Sequence, residues 1–175
     1  LLGRPWRTLS AGEYYQPTPQ LWETVARSLD SLLASHDVVV IEGAGSPAEI
    51  NLRRFELVNM RVAAHARAPV LLVGDIDKGG VFASLFGTMK LLESGERRRI
   101  KGLIINKFRG DISILQPGIE MLERLVRRPV LGVVPYLHDI IINEEDSIYP
   151  ISGEGEVDIA VIYLPRISNS TDFEP

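Results

Sequence analysis

The sequence predicts an α/β fold in which a mostly parallel sheet carries helices on both of its faces. Short segments that are apolar almost throughout alternate with longer segments in which apolar residues recur at helical spacing. Strands that are apolar along their whole length are typical of a parallel sheet that is covered on both sides. Each intervening helix supplies the right-handed crossover that parallel neighbours need.

The helices are predicted from their start signals and their periodicity. Thr18 supplies an N-cap and Pro19 the first helical position, and apolar residues follow at helical spacing. Gly95 is expected to terminate the third helix, and the basic residues from Arg97 to Lys101 are expected to form a solvated loop edge. In chain order, the predicted helices cover residues 18–35, 57–66, 81–93 and 114–126.

The strands are predicted from β-branched and aliphatic runs, and they cover residues 37–41, 70–73, 100–105 and 130–134. Each run stops at a polar or turn-forming residue: Glu42, Asp75, Asn106 or Pro135. One polar strand end is usually only the start of a solvated loop. Four of them at the carboxyl edge of one parallel sheet indicate a ligand site, because such folds bind ligands at that edge.

The composition is typical of a globular protein and excludes several classes of function. The chain has 175 residues, enough for a substantial core, and its formal net charge of −4 gives no electrostatic basis for bulk nucleic-acid binding. No apolar run approaches the length of a membrane span. The absence of cysteine excludes disulfides and a Cys nucleophile within the chain. We expect a cytoplasmic protein with no nucleic-acid or membrane partner.

The alternation of strands and helices changes near the end of the chain. Three consecutive acids and a Gly-Glu-Gly sequence precede a new strand-like run that starts at Val157. We expect a domain over residues 1–143, a linker over residues 144–156 and the first strand of a following domain over residues 157–175. Because the chain starts at Leu1 rather than Met, we also expect it to be a piece of a longer polypeptide.

The first predicted strand ends in an acid and a glycine-rich turn. Glu42 is placed where a carboxylate could hold Mg²⁺ beside phosphates, and Gly43 and Gly45 would let the backbone approach a ligand closely. The second strand ends in Asp75 and Asp77, followed by Lys78. Either acid could lie near the metal, with Lys78 near a phosphate or a carboxylate substrate, but a helix cap with surface charges explains the same pattern.

The third predicted strand ends in Asn106 and Lys107. An Asn side chain offers one acceptor and two donors, which can pair with the edge of a purine, and Phe108 or Arg109 could stack on or flank the ligand. An Asn turn beside surface salt bridges explains the same residues and is common. The chain contains no Gly-x-x-x-x-Gly-Lys-Ser/Thr sequence, the phosphate loop of many nucleotide-binding enzymes.

Four motifs together resemble the cobyric acid synthases. They are EGAGSPAEINL at residues 42–52, DIDKGGVFA at 75–83, INKFRGD at 105–111 and LPRISNSTDF at 164–173. The resemblance implies a P-loop NTPase-like domain of the dethiobiotin-synthetase type that lacks its amino-terminal phosphate-loop segment, followed by a glutamine amidotransferase domain. It implies ATP and Mg²⁺ as cofactors, and glutamine or ammonia as the nitrogen source. The implied reaction amidates four peripheral carboxylates of the corrinoid adenosylcobyrinic acid a,c-diamide.

The resemblance also implies roles for individual residues. Glu42 corresponds to the Mg²⁺-binding acid, and Asp75, Asp77 and Lys78 to residues that face the γ-phosphate and the substrate. Glu49 and Asn51 are weaker candidates for contact with the corrinoid. The implied nucleotide-binding residues are Asn106, which would recognise adenine, together with Lys107, Pro135 and Tyr136.

Two other interpretations of the chain stay open. One is a related amidoligase, either cobyrinic acid a,c-diamide synthase or dethiobiotin synthetase, although the sequence from Ser46 to Asn51 differs from what those relatives carry there. The other is a non-catalytic module for nucleotide binding or assembly, which the missing phosphate loop favours. The sequence does not determine whether the protein forms a homo-oligomer.

Overall fold

The structure is a computed structural model that describes residues 1–10, 13 and 18–137. The predicted linker at 144–156, the predicted strand from Val157 and the motif at 164–173 lie outside the described residues. In chain order the elements are α1 (Thr18–Ser35), a short 3₁₀ helix (Arg53–Phe55), α2 (Met60–His65), β1 (Val70–Asp75), α3 (Val81–Leu91), α4 (Ser94–Arg99), β2 (Ile100–Phe108), α5 (Ile112–Val126) and β3 (Val130–Pro135).

The three strands form one parallel sheet in the order β1-β2-β3. Helices connect consecutive strands, so the predicted α/β class with a parallel sheet is confirmed. Asp75 at the end of β1 is the ladder partner of Asn106 in β2, and Phe108 in β2 is the partner of Pro135 in β3. The carboxyl ends of all three strands therefore meet at one edge.

The core lies between one face of the sheet and the helices α3 and α5. Leu103 and Ile105 of β2 are fully buried, and they pack with Leu85 of α3 and Leu122 of α5. Gly74 of β1 lies directly under α3, where a Cβ atom would come within 2.8 Å of the Val81 side chain. Glycine at this position is what allows α3 to approach the strand so closely.

The other face of the sheet is apolar but largely exposed in the described part of the chain. Leu71 and Val73 alternate with the buried positions of β1, and about half of each side chain is exposed. Leu131 of β3 lies on the same side, where it covers the backbone at Gly102. None of the helices among the described residues combines the length and hydrophobicity that a bilayer crossing requires.

The prediction of a buried strand over residues 37–41 is wrong. This segment has no regular secondary structure, and Val38 and Val40 are 79% and 91% exposed. A strand requires a neighbour that pairs with its backbone N–H and C=O groups, and β-branched composition only indicates compatibility with such pairing. In the described residues β1 pairs with β2, and the 37–41 segment belongs to no ladder.

The prediction that Gly95 terminates the third helix is also wrong. Helix α3 ends at Leu91, and Gly95 lies inside α4, a separate helix that begins at Ser94. The Glu93 and Glu96 side chains form a reciprocal capping box at the start of α4. This cap explains why the basic run Arg97–Arg99, predicted to be a loop, is helical instead.

Several other boundaries differ from the prediction by a few residues, and two of these differences bear on the site. Helix α2 begins at Met60 rather than at residue 57, because the Glu56 carboxylate accepts backbone N–H groups from Val58, Asn59 and Arg61 and holds a turn there. Strand β2 continues past the predicted end to Phe108. Asn106 and Lys107 therefore belong to the strand itself rather than to the loop after it.

Candidate functional site

Backbone pairing brings three of the four predicted strand ends together. The Ile76 N–H donates to the Asn106 carbonyl over 3.0 Å, and the Tyr136 N–H donates to the Phe108 carbonyl over 2.8 Å. These bonds extend the ladders by one residue beyond β1 and β3. The loops that follow the three strands therefore leave the sheet side by side, and the site is assembled from their first residues.

An acid and a lysine form the centre of this edge. The Asp75 carboxylate lies 3.2 Å from Lys107 Nζ, and its other oxygen accepts the Asp77 N–H over 2.9 Å. Partial burial raises the pKa of Asp75, but the bonds from Lys107 and Asp77 and the charges of Lys107 and Lys78 outweigh it and hold the pKa below its ordinary value. Asp75 is therefore a stable anion at neutral pH.

Lys107 has a backbone conformation that few lysines adopt. Its φ angle of 62° lies in the left-handed region, which disfavours residues other than glycine and asparagine. The pairing of β2 with β3 is irregular at the same place, between Ile105 and Phe108. Backbone strain of this kind occurs frequently at functional sites. Here it accompanies the contact between the Lys107 side chain and Asp75.

A second ion pair lies beside the first one. Arg109 Nε is 3.3 Å from an oxygen of Asp77, and the Arg109 guanidinium carbon lies 3.6 Å from the centre of the Tyr136 ring. A guanidinium at this distance over an aromatic face makes a cation–π contact. The sequence indicated that Phe108 or Arg109 could stack on or flank a ligand, but it did not indicate the pairing of Arg109 with Asp77. Residues on different loops give no periodic signal in the sequence.

The loop between β1 and α3 presents backbone donors at the same edge. Gly79 and Gly80 have φ angles of 77° and 69°, and no side chain in the described part of the chain caps the start of α3. A helix start whose N–H groups are not used by a cap favours anions. Lys78, which precedes the two glycines, is exposed. The predicted anion-binding features of this loop are thus next to Asp75 and Asp77.

Glu42 lies on the exposed 37–44 segment, outside the network just described. Asn59 fixes the end of this segment through two hydrogen bonds with the backbone of Ala44, of 3.1 Å and 2.8 Å. Contacts in the described residues do not join Glu42 to Asp75 or Asn106, and its assignment as a metal ligand stays a prediction. Glu49 and Asn51 are exposed on the turn that follows, and their predicted contact with a corrinoid also stays a prediction.

The carboxylates at this edge supply part of what Mg²⁺ requires. The described residues contain no group of three or more His, Asp or Glu side chains that could hold a metal by themselves. Mg²⁺ is usually held by one or two carboxylates together with phosphate oxygens and water. Asp75 and Asp77 provide oxygen ligands of that kind, so the edge fits a metal that is shared with phosphates rather than a closed protein cage.

A cavity of about 600 Å³ opens at the opposite end of the sheet. Pro69 and Lys101 mark this end, because they lie at the starts of β1 and β2. Arg67 and the α4 residues Arg98 and Arg99 are among the other residues that line the cavity. None of the predicted site residues contributes to it. The site at the carboxyl edge is an open surface, so chemistry and topology locate it better than cavity volume does.

Comparison with known proteins agrees with the resemblance that the motifs indicated. Residues 18–143 match the family model described as AAA domain, in agreement with the predicted P-loop NTPase-like fold. Cobyric acid synthases from Thermoanaerobacter sp. (strain X514) and Caldanaerobacter subterraneus subsp. tengcongensis are 59% and 56% identical to the chain over its whole length. The cobyric acid synthase of Sorangium cellulosum is 55% identical, again over the whole chain.

The chain spans 35% of the length of each of these three curated relatives. No solved structure matches it. The matched family covers most of the chain, including all three strands and the loops at the candidate site. The chain therefore belongs to the AAA domain family, and its whole length is similar to one part of the cobyric acid synthases.

Proposed function

We propose that the chain is the central part of the ATP-binding amidoligase domain of a cobyric acid synthase. The observation that carries this proposal is the meeting of Asp75, Asn106 and Tyr136 at one edge of a parallel sheet. Such an edge is where open α/β sheets bind ligands. The similarity of the whole chain to cobyric acid synthases supports the choice of ligand and reaction.

The proposed reaction makes amides from carboxylates at the expense of ATP. A carboxylate is a poor acyl donor, so the γ-phosphoryl group of ATP is first transferred to one of its oxygens, with ADP as the leaving group. Ammonia then attacks the carbonyl carbon of the acyl phosphate and inorganic phosphate leaves. The proposed substrate is adenosylcobyrinic acid a,c-diamide, with four carboxylates amidated, and the proposed source of ammonia is glutamine.

Phosphoryl transfer requires positioning and charge neutralisation more than covalent participation by the protein. When bound, Mg²⁺ would supply part of that neutralisation, and Glu42, Asp75 and Asp77 are the residues that we propose to hold it. We propose that Lys78 contacts the γ-phosphate or the substrate carboxylate. Because Asp75 stays ionised at neutral pH, its charge is available for this role throughout the physiological range.

Asn106 is the proposed contact to the adenine edge. Its amide can donate and accept at the same time, as recognition of a purine edge requires. Lys107 follows it in β2, Pro135 ends the neighbouring strand β3, and Tyr136 comes directly after β3. We propose that these three residues line the base pocket. We propose Glu49 and Asn51 as corrinoid contacts on the basis of the motif at residues 42–52.

The chain lacks the motifs for two functions of the proposed enzyme, the phosphate loop that binds ATP and the cysteine that hydrolyses glutamine. It contains neither a phosphate-loop motif nor a cysteine. We therefore propose that parts of a longer polypeptide cradle the phosphates and hydrolyse glutamine, and that residues 1–143, 144–156 and 157–175 are its ligase domain, linker and following domain. The chain alone would then be inactive. A cytoplasmic location and a possible homo-oligomer stay predictions.

The proposal is tested by Asn106→Ala in the full-length polypeptide. We expect a higher KM for ATP and a reduced preference for ATP over GTP, because the base edge loses its hydrogen-bond partner. Gln116→Ala is a matched control, since it removes an exposed amide on α5 that contacts Glu120. If Asn106→Ala and Gln116→Ala both kept the wild-type ratio of ATP to GTP use, the base-contact role would be wrong.

One observation favours a second candidate, a non-catalytic nucleotide-binding or assembly module. Asp75 and Asp77 are each already paired with a cation of the same chain, as in a purely structural network. Titration of the full-length polypeptide with Mg-ATP, followed by an assay of amide formation, separates the two. Binding without any ATP-dependent amidation would favour the module.

A further inference from the structure

Arg109 occupies a junction between the two sides of the candidate site. Its guanidinium pairs with Asp77, on the loop after β1, and stacks over Tyr136, immediately after β3. Arg109 itself follows β2. One side chain therefore joins the acidic loop, proposed to serve the phosphates and substrate, to the aromatic residue proposed to line the base pocket.

We propose that Arg109 is a positioning residue that couples binding of the nucleotide base to the orientation of Asp77. This inference rests on the proposed function, because it requires a nucleotide at this edge. It goes further by assigning a role to a residue outside the proposed metal, phosphate and base contacts. Its two partners are Asp77 and Tyr136. The charge of the guanidinium pairs with Asp77 and its planar face stacks on Tyr136, so both properties are needed for the coupling.

The partners of Arg109 are themselves held in place. Tyr136 is anchored by its backbone bond to Phe108, and Asp77 by its N–H bond to the Asp75 carboxylate. The backbone around Arg109 is also restricted, because Gly110 takes a φ angle of 111° and the Asp111 side chain caps α5 by accepting the Ser113 N–H. A guanidinium held between such groups cannot move without disturbing both.

The electrostatics favour coupling over a simple surface salt bridge. An exposed ion pair alone contributes little, because water screens it. Here the same cation also lies on an aromatic face, and a base stacked near Tyr136 would remove water from both contacts. Cation–π and ionic contacts strengthen when they are desolvated. About half of the Arg109 side chain remains exposed, which leaves room for a ligand to cover it.

Two substitutions separate the plane of the guanidinium from its charge. Arg109→Lys keeps the charge that pairs with Asp77 but removes the planar group over Tyr136. Arg109→Gln keeps a planar polar group but removes the charge. Arg98→Gln is a matched control, because Arg98 is an exposed arginine on α4 near the opposite end of the sheet. The exposure of Arg109 predicts that all of these variants fold, and circular dichroism verifies this.

The experiment measures steady-state kinetics with ATP and GTP in the full-length polypeptide. It uses the variants above and Tyr136→Leu. It also uses Asp77→Asn, both alone and combined with Arg109→Gln. We expect Arg109→Gln and Tyr136→Leu to raise the KM for ATP roughly three- to tenfold, the range that one cation–π contact supports. We expect Arg109→Lys to raise it less. The double variant with Asp77→Asn should be no worse than the more impaired single variant, since both break the same link.

Three outcomes decide the matter. A KM for ATP in Arg109→Gln equal to that of Arg98→Gln would overturn the inference, and so would effects of Asp77→Asn and Arg109→Gln that simply multiply. If either of these two outcomes occurred while Asn106→Ala still reduced the preference for ATP over GTP, the inference about Arg109 would fail and the proposed function would stand. If the wild-type polypeptide used no nucleotide at all, both would be overturned.

Discussion

The packing of α3 on Gly74 gives a prediction whose size follows from the structure. An alanine Cβ at this position would lie 2.8 Å from Val81 Cγ2 and 3.0 Å from Leu85 Cγ. Relaxed contacts between carbon atoms are about 3.5–4.0 Å long, so both neighbours would have to move. An extra methyl group in a packed core costs about 1–3 kcal/mol, and the entropic gain of about 0.5–1 kcal/mol from replacing a strand glycine offsets only part of it.

We therefore expect Gly74→Ala to lower the free energy of unfolding by about 1–2 kcal/mol, which corresponds to a fall in Tm of about 2–4 °C per kcal/mol in a chain of this size. Urea unfolding followed by circular dichroism measures the change. Gly132→Ala in β3 is the matched control, because a Cβ there would meet no atom of the described residues within 4 Å. The control should be neutral or slightly stabilising.

Gly74→Ala should also impair function, because α3 begins at Val81 and the loop with Asp77 and Lys78 connects it to β1. Displacing α3 moves that loop. Equal stability of Gly74→Ala and Gly132→Ala would refute the reasoning, since α3 would then not be held by close contact with the strand. The position of the acidic loop would need another explanation.

Three further predictions concern single side chains. Glu42→Gln in the full-length polypeptide should abolish ATP-dependent amide formation and leave the circular dichroism spectrum unchanged, because Glu42 is exposed; near-normal turnover would remove the metal assignment. Lys107→Met should lower the free energy of unfolding at neutral pH, where Asp75 is ionised and pairs with Lys107. The difference in stability between variant and wild type should vanish as the pH falls below 3.8 and through the lowered pKa of Asp75. A difference in urea unfolding that did not change with pH would contradict this. Arg127→Gly should raise the free energy of unfolding by about 1 kcal/mol, and with it the Tm, because Arg127 ends α5 with a φ of 54°, which glycine adopts without strain. An unchanged Tm would count against strain at this residue.

Helix and strand order were predictable where local signals and tertiary contacts agree. Helix α1 has the predicted bounds, since Thr18 and Pro19 mark its start and its periodicity continues to Ser35. Strand β1 begins at the predicted Val70, because its apolar run pairs with an equally apolar β2. These elements needed only residue types and spacing to be identified.

The contacts within the site were less predictable, because they depend on backbone geometry that residue types and their spacing do not determine. The sequence predicted that Asp75 and Asn106 share an edge of the sheet, because the carboxyl ends of parallel strands lie together. The pairing of Lys107 with Asp75 accompanies a left-handed lysine inside β2, which no residue preference would suggest. The link from Asp77 through Arg109 to Tyr136 joins three loops and is visible only once the register is known.

Residues 37–41 and β1 differ in backbone pairing, and this difference separates the assignment of Glu42 from the assignments of Asp75 and Asn106. Both segments have strand-forming sequences, but only β1 has a partner that satisfies its backbone, so Glu42 is not held at the sheet by a ladder. Asp75 and Asn106 do not share this dependence. They are ladder partners in adjacent strands, which lie about 4.8 Å apart. Backbone pairing alone therefore places a carboxylate beside an amide, so the side proposed to serve the phosphates and the side proposed to bind the base share one edge whether or not Glu42 joins them.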